Sequence, residues 1–286
     1  LLIHVVSAGV NPVDWKIREG RLAESMPHAF PLIPGWDAAG TVEQLGEGAG
    51  RFRKGDRVWS LARKPLVQWG CYAEYVAVPE DQVALMPAKL LYEEAAAMPT
   101  AALAAFQALF DHAGLKEGSR VLIHAAAGGV GHFALQLARQ AGAEVWGTAG
   151  AANQGFVIEL GANRAIDHER EDLFEAVRRE CPSGFDLVLD AVGGATLDRS
   201  HDLVRPGGRL VSIVDEPDVE RARERGFSAR LVAVRPDAEQ LGLLARLVDE
   251  KRLRPHLRKI YPLAQAAAAQ TELAEGHVRG KLVLNL

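Results

Sequence analysis

Cys71 and Cys181 are the only two cysteines in 286 residues. That scarcity excludes a disulfide framework and a cysteine-rich metal site, and it fits a reducing, cytoplasmic compartment. No apolar run is long enough to cross a bilayer. The most apolar stretch, Ala95–Leu109, is alanine-rich and is interrupted by Pro99, Thr100 and Gln107. An excess of positive charge is missing as well, and a net charge of −4 argues against a nucleic-acid or anionic-membrane partner. No internal repeat and no signal peptide stand out. What is present is an ordinary globular composition, 48% hydrophobic and 24% charged, long enough for one large or two ordinary domains.

The most informative stretch is VLIHAAAGGVGHFALQLARQAGAEVWGT, Val121–Thr148. It reads as a buried strand (Val121–His124), a small-residue turn, an amphipathic helix and a second apolar strand (Glu144–Thr148). Within the turn, Ala126, Gly128 and Gly131 form A-x-G-x-x-G, a dinucleotide fingerprint with Ala in the first place. A side chain at Gly128 would hold the backbone away from a pyrophosphate, and one at Gly131 would push the helix off the strand. The helix start offers free N–H groups and a positive dipole end to a phosphate. Alone the glycines are weak evidence; the flanking strand, helix and second strand supply the context the motif needs.

The residues before this stretch have a different texture. LLIHVVSAG reads as a strand, NPVDWKIREG as a turn entering a short helix, and Ala38–Leu45 as a strand bent between Pro and Gly residues, as in a curled sheet. RFRKGDRVWSL and WGCYAEYVAVPEDQVALMP continue with strand patterns broken by Pro. From Tyr92 the composition turns helical, with two helices expected to meet at Pro99. After Thr148 the rhythm is strand and helix in alternation: helix Gln154–Leu160, strand Arg164–Ile166, helix Asp172–Glu180, strand FDLVLD, helix Ala195–Leu203, strand PGGRLVSIV and strand Ser228–Val234. Alternating apolar strands imply a parallel sheet covered on both faces. The tail adds a helix, a strand (Arg258–Pro262), an alanine-rich helix expected to pack closely, and the strand KLVLNL. The expected division is a β-rich domain over 1–92, a nucleotide-binding domain over 93–238, and a return to the first domain over 239–286.

Taken together, GVNPVDWKIREG, PGWDAAGTVEQLGEGAGRFRKGDRV, YAEYVAV, MPTAALAAFQAL, AAAGGVGHFALQLARQAGA, FDLVLDAVGG, PGGRLVSI and HVRGKLVL resemble the medium-chain dehydrogenase/reductase superfamily. The nearer resemblance is to its zinc-free quinone oxidoreductase branch. It covers nearly the whole chain and implies an α/β fold: a Rossmann doubly wound parallel sheet plus a curled, mostly antiparallel, GroES-like catalytic domain. By that resemblance the chain begins after the family's opening strand or strands. Zinc-dependent relatives carry a Gly-His-Glu run where this chain has Gly35-Trp36-Asp37. Their first ligand cysteine falls where it reads Asn11-Pro12-Val13-Asp14, and their four-cysteine lobe has no counterpart. Catalytic zinc needs about three His, Cys or carboxylate ligands, so the expectation is a metal-free site.

Without zinc to polarise a carbonyl, the expected reaction is hydride transfer from a reduced nicotinamide to an electron-poor acceptor, a quinone or an α,β-unsaturated carbonyl. The resemblance places Asn11 near the nicotinamide, where its amide could hydrogen-bond the substrate oxygen; the alternative is that Asn11-Pro12 merely starts a turn. Asp14 is a candidate proton shuttle or a helix cap, and Trp36, with Trp15, is a candidate pocket wall or a core residue. His4, His28 and His112 read as structural or surface residues. Carried-over cofactor positions are Thr100, Ala127, Gly128, Gly129, Val130, Thr148, Asn153, His168, Val192, Gly193 and Val214. Lys281 either reaches the cofactor or is a solvated lysine beginning an edge strand. NAD-binding folds place an acid on the ribose at the end of the second strand, roughly 20 residues past the fingerprint. Here that position reads Gly147-Thr148-Ala149-Gly150, with no acid before Glu159, which favours NADP(H). Asn153 stands where related reductases often have a phosphate-binding lysine, and Arg164 is either near the phosphate or on the surface. The alternatives in function are an acyl-thioester enoyl reductase and a non-catalytic NADPH-binding or sensing protein. The expected partners are a small-molecule electron acceptor and, through the apolar strand Ser228–Val234, a second copy of the chain.

Overall fold

The computed structural model describes all 286 residues. It divides into two compact units, Leu1–Leu103 with Arg235–Leu286, and Ala104–Val234. The first unit begins with β1 (Leu2–Val10), α1 (Pro12–Arg18), β2 (His28–Ile33), β3 (Asp37–Gln44), β4 (Arg57–Leu61), β5 (Val67–Trp69), β6 (Tyr75–Ala77) and β7 (Val83–Leu85). α2 (Tyr92–Ala96) and α3 (Pro99–Phe106) follow. Pro99 separates the last two as expected, because proline fits the first turn of a helix and breaks an interior. α3 runs on as a π-helical turn over Gln107–His112.

The second unit holds β8 (Arg120–Ile123), α4 (Gly131–Gln140), β9 (Glu144–Ala149), α5 (Gln154–Glu159), β10 (Arg164–Asp167), α6 (Leu173–Glu180) and β11 (Phe185–Asp190). It continues with α7 (Gly194–Ser200), β12 (Val204–Ser212), α8 (Val219–Glu224) and β13 (Ser228–Leu231). The chain then returns to the first unit through α9 (Ala238–Asp249), β14 (Leu257–Pro262), α10 (Ala266–Ala274) and β15 (Lys281–Asn285). Compared with the expected limits, the first boundary moves from residue 92 into α3, and the return starts at Arg235 instead of 239. The reasons are local: α2 packs on β1 and β3, Thr100 is hydrogen-bonded to Asp37, and Asp237 caps α9, which packs on β7.

In the first unit the main sheet runs β14-β15-β1-β3-β4-β7, with β6 also paired to β1. Every pairing is antiparallel except β14 with β15. β1 shifts register against β3 at two places, after Leu2 and after Val5, and such bulges bend a strand and let a sheet curl. Ile3, Val5, Val42, Val58, Val76, Leu282 and Leu284 form its core. β2 and β5 make a separate two-stranded parallel pair. The alanine-rich α10 packs against α1, but only Ala269 of its five alanines is fully buried.

In the second unit six strands are parallel in the order β10-β9-β8-β11-β12-β13. Numbered within the unit this is 3-2-1-4-5-6, the Rossmann order, whose switch point lies between β8 and β11. Leu122, Ile166, Phe185, Val188 and Leu210 lie in its core, and Trp146 meets Phe185 edge-on at 5.4 Å. The strand expected over Ser228–Val234 stops at Leu231, where its ladder with β12 ends opposite Ser212. No helix is long and apolar enough to cross a membrane.

Candidate functional site

The first unit gathers its polar residues around the start of α1. Asn11, 3% exposed, is the N-cap, with Pro12 at the first helical position. Asp14 sits within the first turn rather than ahead of it, and its Oδ2 accepts the Asn11 N–H at 2.7 Å and the Tyr72 hydroxyl at 3.0 Å. It therefore caps α1 backwards, from the third helical position. The Asn11 side chain is held at both ends: Nδ2 donates to Asp37 Oδ2 at 2.8 Å, and Oδ1 accepts from Lys281 Nζ. Lys281 also donates to the Val10 carbonyl at 2.8 Å. The other oxygen of Asp37, Oδ1, accepts from the Thr100 N–H at 2.8 Å and the Thr100 hydroxyl at 2.6 Å.

Lys281 is thus neither solvated nor at a sheet edge. It is 3% exposed and starts β15, a strand flanked by β14 and β1. Its ammonium can be buried because Asp37 supplies the counter-charge and two oxygens accept from it. Burial lowers its pKa and raises that of Asp37, while each charge opposes the shift of the other. Asp14 is the unmatched acid. Burial, opposed by its two donors, raises its pKa to about 7, and its Oδ1 has no partner. The arrangement is two opposite charges, Lys281 and Asp37, bridged by the Asn11 amide, beside a carboxyl that keeps its proton up to near-neutral pH. Trp36 is buried but does not join this network; the Arg63 guanidinium lies 5.2 Å from its ring centre. Just before it, Gly35 has φ +97, and a β-carbon there would meet the Tyr72 ring at 2.4 Å, so only glycine lets Tyr72 reach Asp14.

These side chains do not suit zinc. Asp37 already accepts three hydrogen bonds, Asp14 retains a proton, and burial raises the Cys71 thiol pKa well above its usual range, with Asp37 and Asp14 adding to the shift. Zinc binds thiolates, neutral imidazoles and free carboxylates. Nowhere do three His, Cys, Asp or Glu side chains gather in a metal-binding group.

In the second unit, β8 ends at Ile123 and the chain turns sharply through Ala125, a non-glycine residue at φ +49. At Gly131 a β-carbon would stand 2.3 Å from the Ala125 carbonyl oxygen and 2.7 Å from Ala126 Cα, so α4 can start this close to the turn only with glycine. The Gly128 N–H bonds back to Ala125 O at 2.9 Å, whereas the N–H groups of Ala127, Gly129 and Val130 have no acceptor in the chain. Three unsatisfied donors at the head of a ten-residue helix fit a pyrophosphate.

At the switch point the structure brings Val192, Gly193 and Val214 together. Asp190, at the end of β11, accepts from the N–H groups of Val192 (3.1 Å) and Gly193 (3.1 Å) and from the Ser212 hydroxyl (2.8 Å), fixing the loops after β11 and β12. Thr148, near the end of β9, turns its hydroxyl inward. Ser200 Oγ donates to Thr196 O at 2.6 Å, so it accepts from His124 Nε2 at 3.0 Å. His124 Nδ1 is then an acceptor for the Thr148 hydroxyl at 3.3 Å, which itself accepts the Ala125 N–H at 3.3 Å. This chain keeps His124 neutral in one tautomer, and burial lowers its pKa to about 4. Asn153 lies in a 3₁₀ turn, Ala151–Asn153, after β9, and His168 follows β10. Arg164 is engaged by Glu171 and, at 3.1 Å, by Glu180. His4 packs on Tyr75, and His28 and His112 face Phe30 and Arg230.

Sequence reading passed over Asp37, Tyr72, His124 and Asp190 as site residues. Asp37 had a signal, because it occupies the acid position of the Gly-His-Glu run. Asp190 had one too, as an acid closing an apolar strand before a glycine pair. Tyr72 and His124 had none, since their partners are 58 and 76 residues away.

A Rossmann sheet in one unit and a curled, mostly antiparallel, GroES-like sheet in the other define the architecture of a two-unit dehydrogenase/reductase. The comparisons agree. "Alcohol dehydrogenase GroES-like domain" matches residues 1–88 and "Zinc-binding dehydrogenase" matches residues 160–284. The chain is 33% identical over 298 residues to the quinone oxidoreductase of Sus scrofa, covering 100% of this chain and 89% of that protein. The solved structure of a quinone oxidoreductase from Coxiella burnetii superposes with a TM-score of 0.90 at 37% identity, covering 100% of this chain and 90% of that one. A mycobacterial protein solved in complex with NADPH matches with a TM-score of 0.88 at 28% identity, covering 100% and 91%. The chain belongs to the medium-chain dehydrogenase/reductase superfamily, in its zinc-free, quinone oxidoreductase-like branch. It is an oxidoreductase that uses a nicotinamide cofactor and a small-molecule substrate.

Proposed function

We propose that this protein is a zinc-independent reductase that passes hydride from NADPH to a quinone or an α,β-unsaturated carbonyl. The observation that carries this reading is the state of the Asn11 amide. Its carbonyl accepts from Lys281 and one N–H is given to Asp37, which leaves the second N–H for a substrate oxygen. The Lys281 ammonium polarises that amide in a buried setting, where a hydrogen bond is stronger than in water. One oriented donor is modest electrostatic help, and it suits an acceptor that is already electron-poor. Thr100, held by Asp37, and Asn11 share that carboxylate, so Asp37 sets the position of both. Trp36 supplies an apolar wall beside them, and Asp14 serves as a local proton store that Tyr72 and the Asn11 N–H hold in place.

In the second unit Ala127, Gly128, Gly129 and Val130 would hold the pyrophosphate, Val192, Gly193 and Val214 would flank the nicotinamide half, and Thr148, Asn153 and His168 would lie towards the adenosine. Bound there, NADPH supplies the hydride. The absence of an acid over Gly147–Gly150 supports NADPH over NADH, and the mycobacterial relative solved with NADPH supports it too.

The test is oxidation of NADPH and of NADH with 1,4-benzoquinone and with an enone, with and without a chelator. The expected result is turnover that prefers NADPH and ignores the chelator. Activity lost to the chelator and restored by zinc would refute the metal-free reading. Preference for NADH would refute the cofactor assignment. Turnover of acyl-thioesters alone would replace the acceptor class, and NADPH binding without turnover of any acceptor would replace the enzyme by a sensor.

A further inference from the structure

An acid is absent from the tip of β9, yet the fold brings carboxylates there from the neighbouring strand. Asp167, the last residue of β10, pairs in register with Ala149 of β9. Two residues on, the Glu169 N–H is tied back to Asp167 Oδ1 at 3.1 Å. That turn lays the Glu169 side chain across the end of β9. Its Oε1 is 3.8 Å from the place a β-carbon on Gly150 would take, the same distance as His168 Cε1. Glu169 is exposed and has no salt-bridge partner. The cations near it in sequence are directed elsewhere: Arg164 meets Glu171 and Glu180, and Arg170 lies 3.8 Å from Asp167.

We propose that Glu169 is a specificity-determining residue of the cofactor site: presented at Gly150 by the turn after β10, its carboxylate opposes a 2′-phosphate and holds the preference for NADPH over NADH to a small ratio. This rests on the reading that the second unit binds the dinucleotide with its adenosine end at the tip of β9. The absent acid on β9 admits the phosphate, and Glu169 limits how strongly it is favoured. Exposed charge pairs are worth roughly 0.2–1 kcal/mol, which corresponds to about a 1.4- to 5-fold change in affinity. An effect of this kind must also fade as salt screens it.

The experiment compares the intact protein with Glu169→Gln and Glu169→Lys by equilibrium titration, following nucleotide fluorescence with NADPH and with NADH. Each titration is run at about 0.02 M and about 0.3 M salt. Glu169→Gln removes the charge and keeps the shape, and an exposed site leaves folding undisturbed. At low salt its Kd for NADPH falls about 1.4- to 5-fold while that for NADH does not fall. Glu169→Lys tightens NADPH further, and both differences shrink at high salt. Binding of both nucleotides with the same NADPH-to-NADH ratio in all three proteins would overturn the assignment to Glu169. So would a change in ratio that ignores salt. Binding of neither nucleotide by the wild-type chain would overturn the underlying reading of the second unit, and the proposal with it.

Discussion

Asp14 offers a direct measurement of what burial of the first unit's polar cluster costs. Its pKa is raised from 3.8 to about 7 by burial, and one of its oxygens lacks any partner. Between those two values the folded chain binds more protons than the unfolded chain, so stability falls as pH rises through the window. The shift of about three units corresponds to about 4 kcal/mol across the whole window, and linkage places about 2.5 kcal/mol of it between pH 5 and pH 8. Asp14→Asn imitates the protonated acid. The amide oxygen can still accept from the Asn11 N–H and the Tyr72 hydroxyl, and position 14 no longer titrates. Urea unfolding followed by tryptophan fluorescence reports mainly on the relevant unit, because Trp15, Trp36, Trp59 and Trp69 lie in it and only Trp146 lies in the other. The wild type is expected to lose about 2.5 kcal/mol relative to Asp14→Asn between pH 5 and pH 8. Stability curves that run parallel over that range would refute a protonated, buried Asp14.

Three further outcomes follow from the geometry. Asp37→Asn strands the Lys281 ammonium and should cost about 3–5 kcal/mol in the same urea assay, with much of the loss recovered in the double variant with Lys281→Met; additive losses would show that the two charges are not coupled. Gly131→Ala places a β-carbon 2.3 Å from the Ala125 carbonyl; it should destabilise the chain by about 1–3 kcal/mol and weaken nucleotide binding in a titration, and unchanged binding would mean the turn does not hold the pyrophosphate. Light scattering should give a dimer through β13, the edge strand of the second sheet with Leu231 39% exposed, and Leu231→Lys should yield monomer; a wild-type monomer would refute the pairing.

The residues that read well from sequence were those whose partners are close along the chain. β8, the turn and α4 announce themselves because strand period, small residues and helix period follow one another within thirty residues, each with a local steric reason. Asn11, Thr100 and Lys281 were found through resemblance, but what joins them was not. Asp37, 26 residues from Asn11 and 63 from Thr100, sits in a segment noted only for its missing histidine. Lys281 read as easily as a surface lysine, because nothing local marks a strand as central or as peripheral; that depends on β14 and β1 arriving on either side. The end of β9 is the same kind of place. No acid lies along β9 there, while Asp167 ends the strand beside it and Glu169 sits in the turn that follows.

The place of β15 also bears on how the chain matures during synthesis. The strand enters between β14 and β1, so residues 281–285 complete a sheet whose first strand begins at Leu2. The second unit, Ala104–Val234, has all six of its strands once β13 is made, and it can assemble while translation continues. The first unit must wait. Until β15 emerges, Ser7–Val10 of β1 lack their partner on the side away from β3, and the Asn11 carbonyl lacks the ammonium that donates to it. A nascent chain halted at Gly280 would therefore carry a finished nucleotide-binding sheet and an open, protease-sensitive partner unit, with the last short strand acting as the latch.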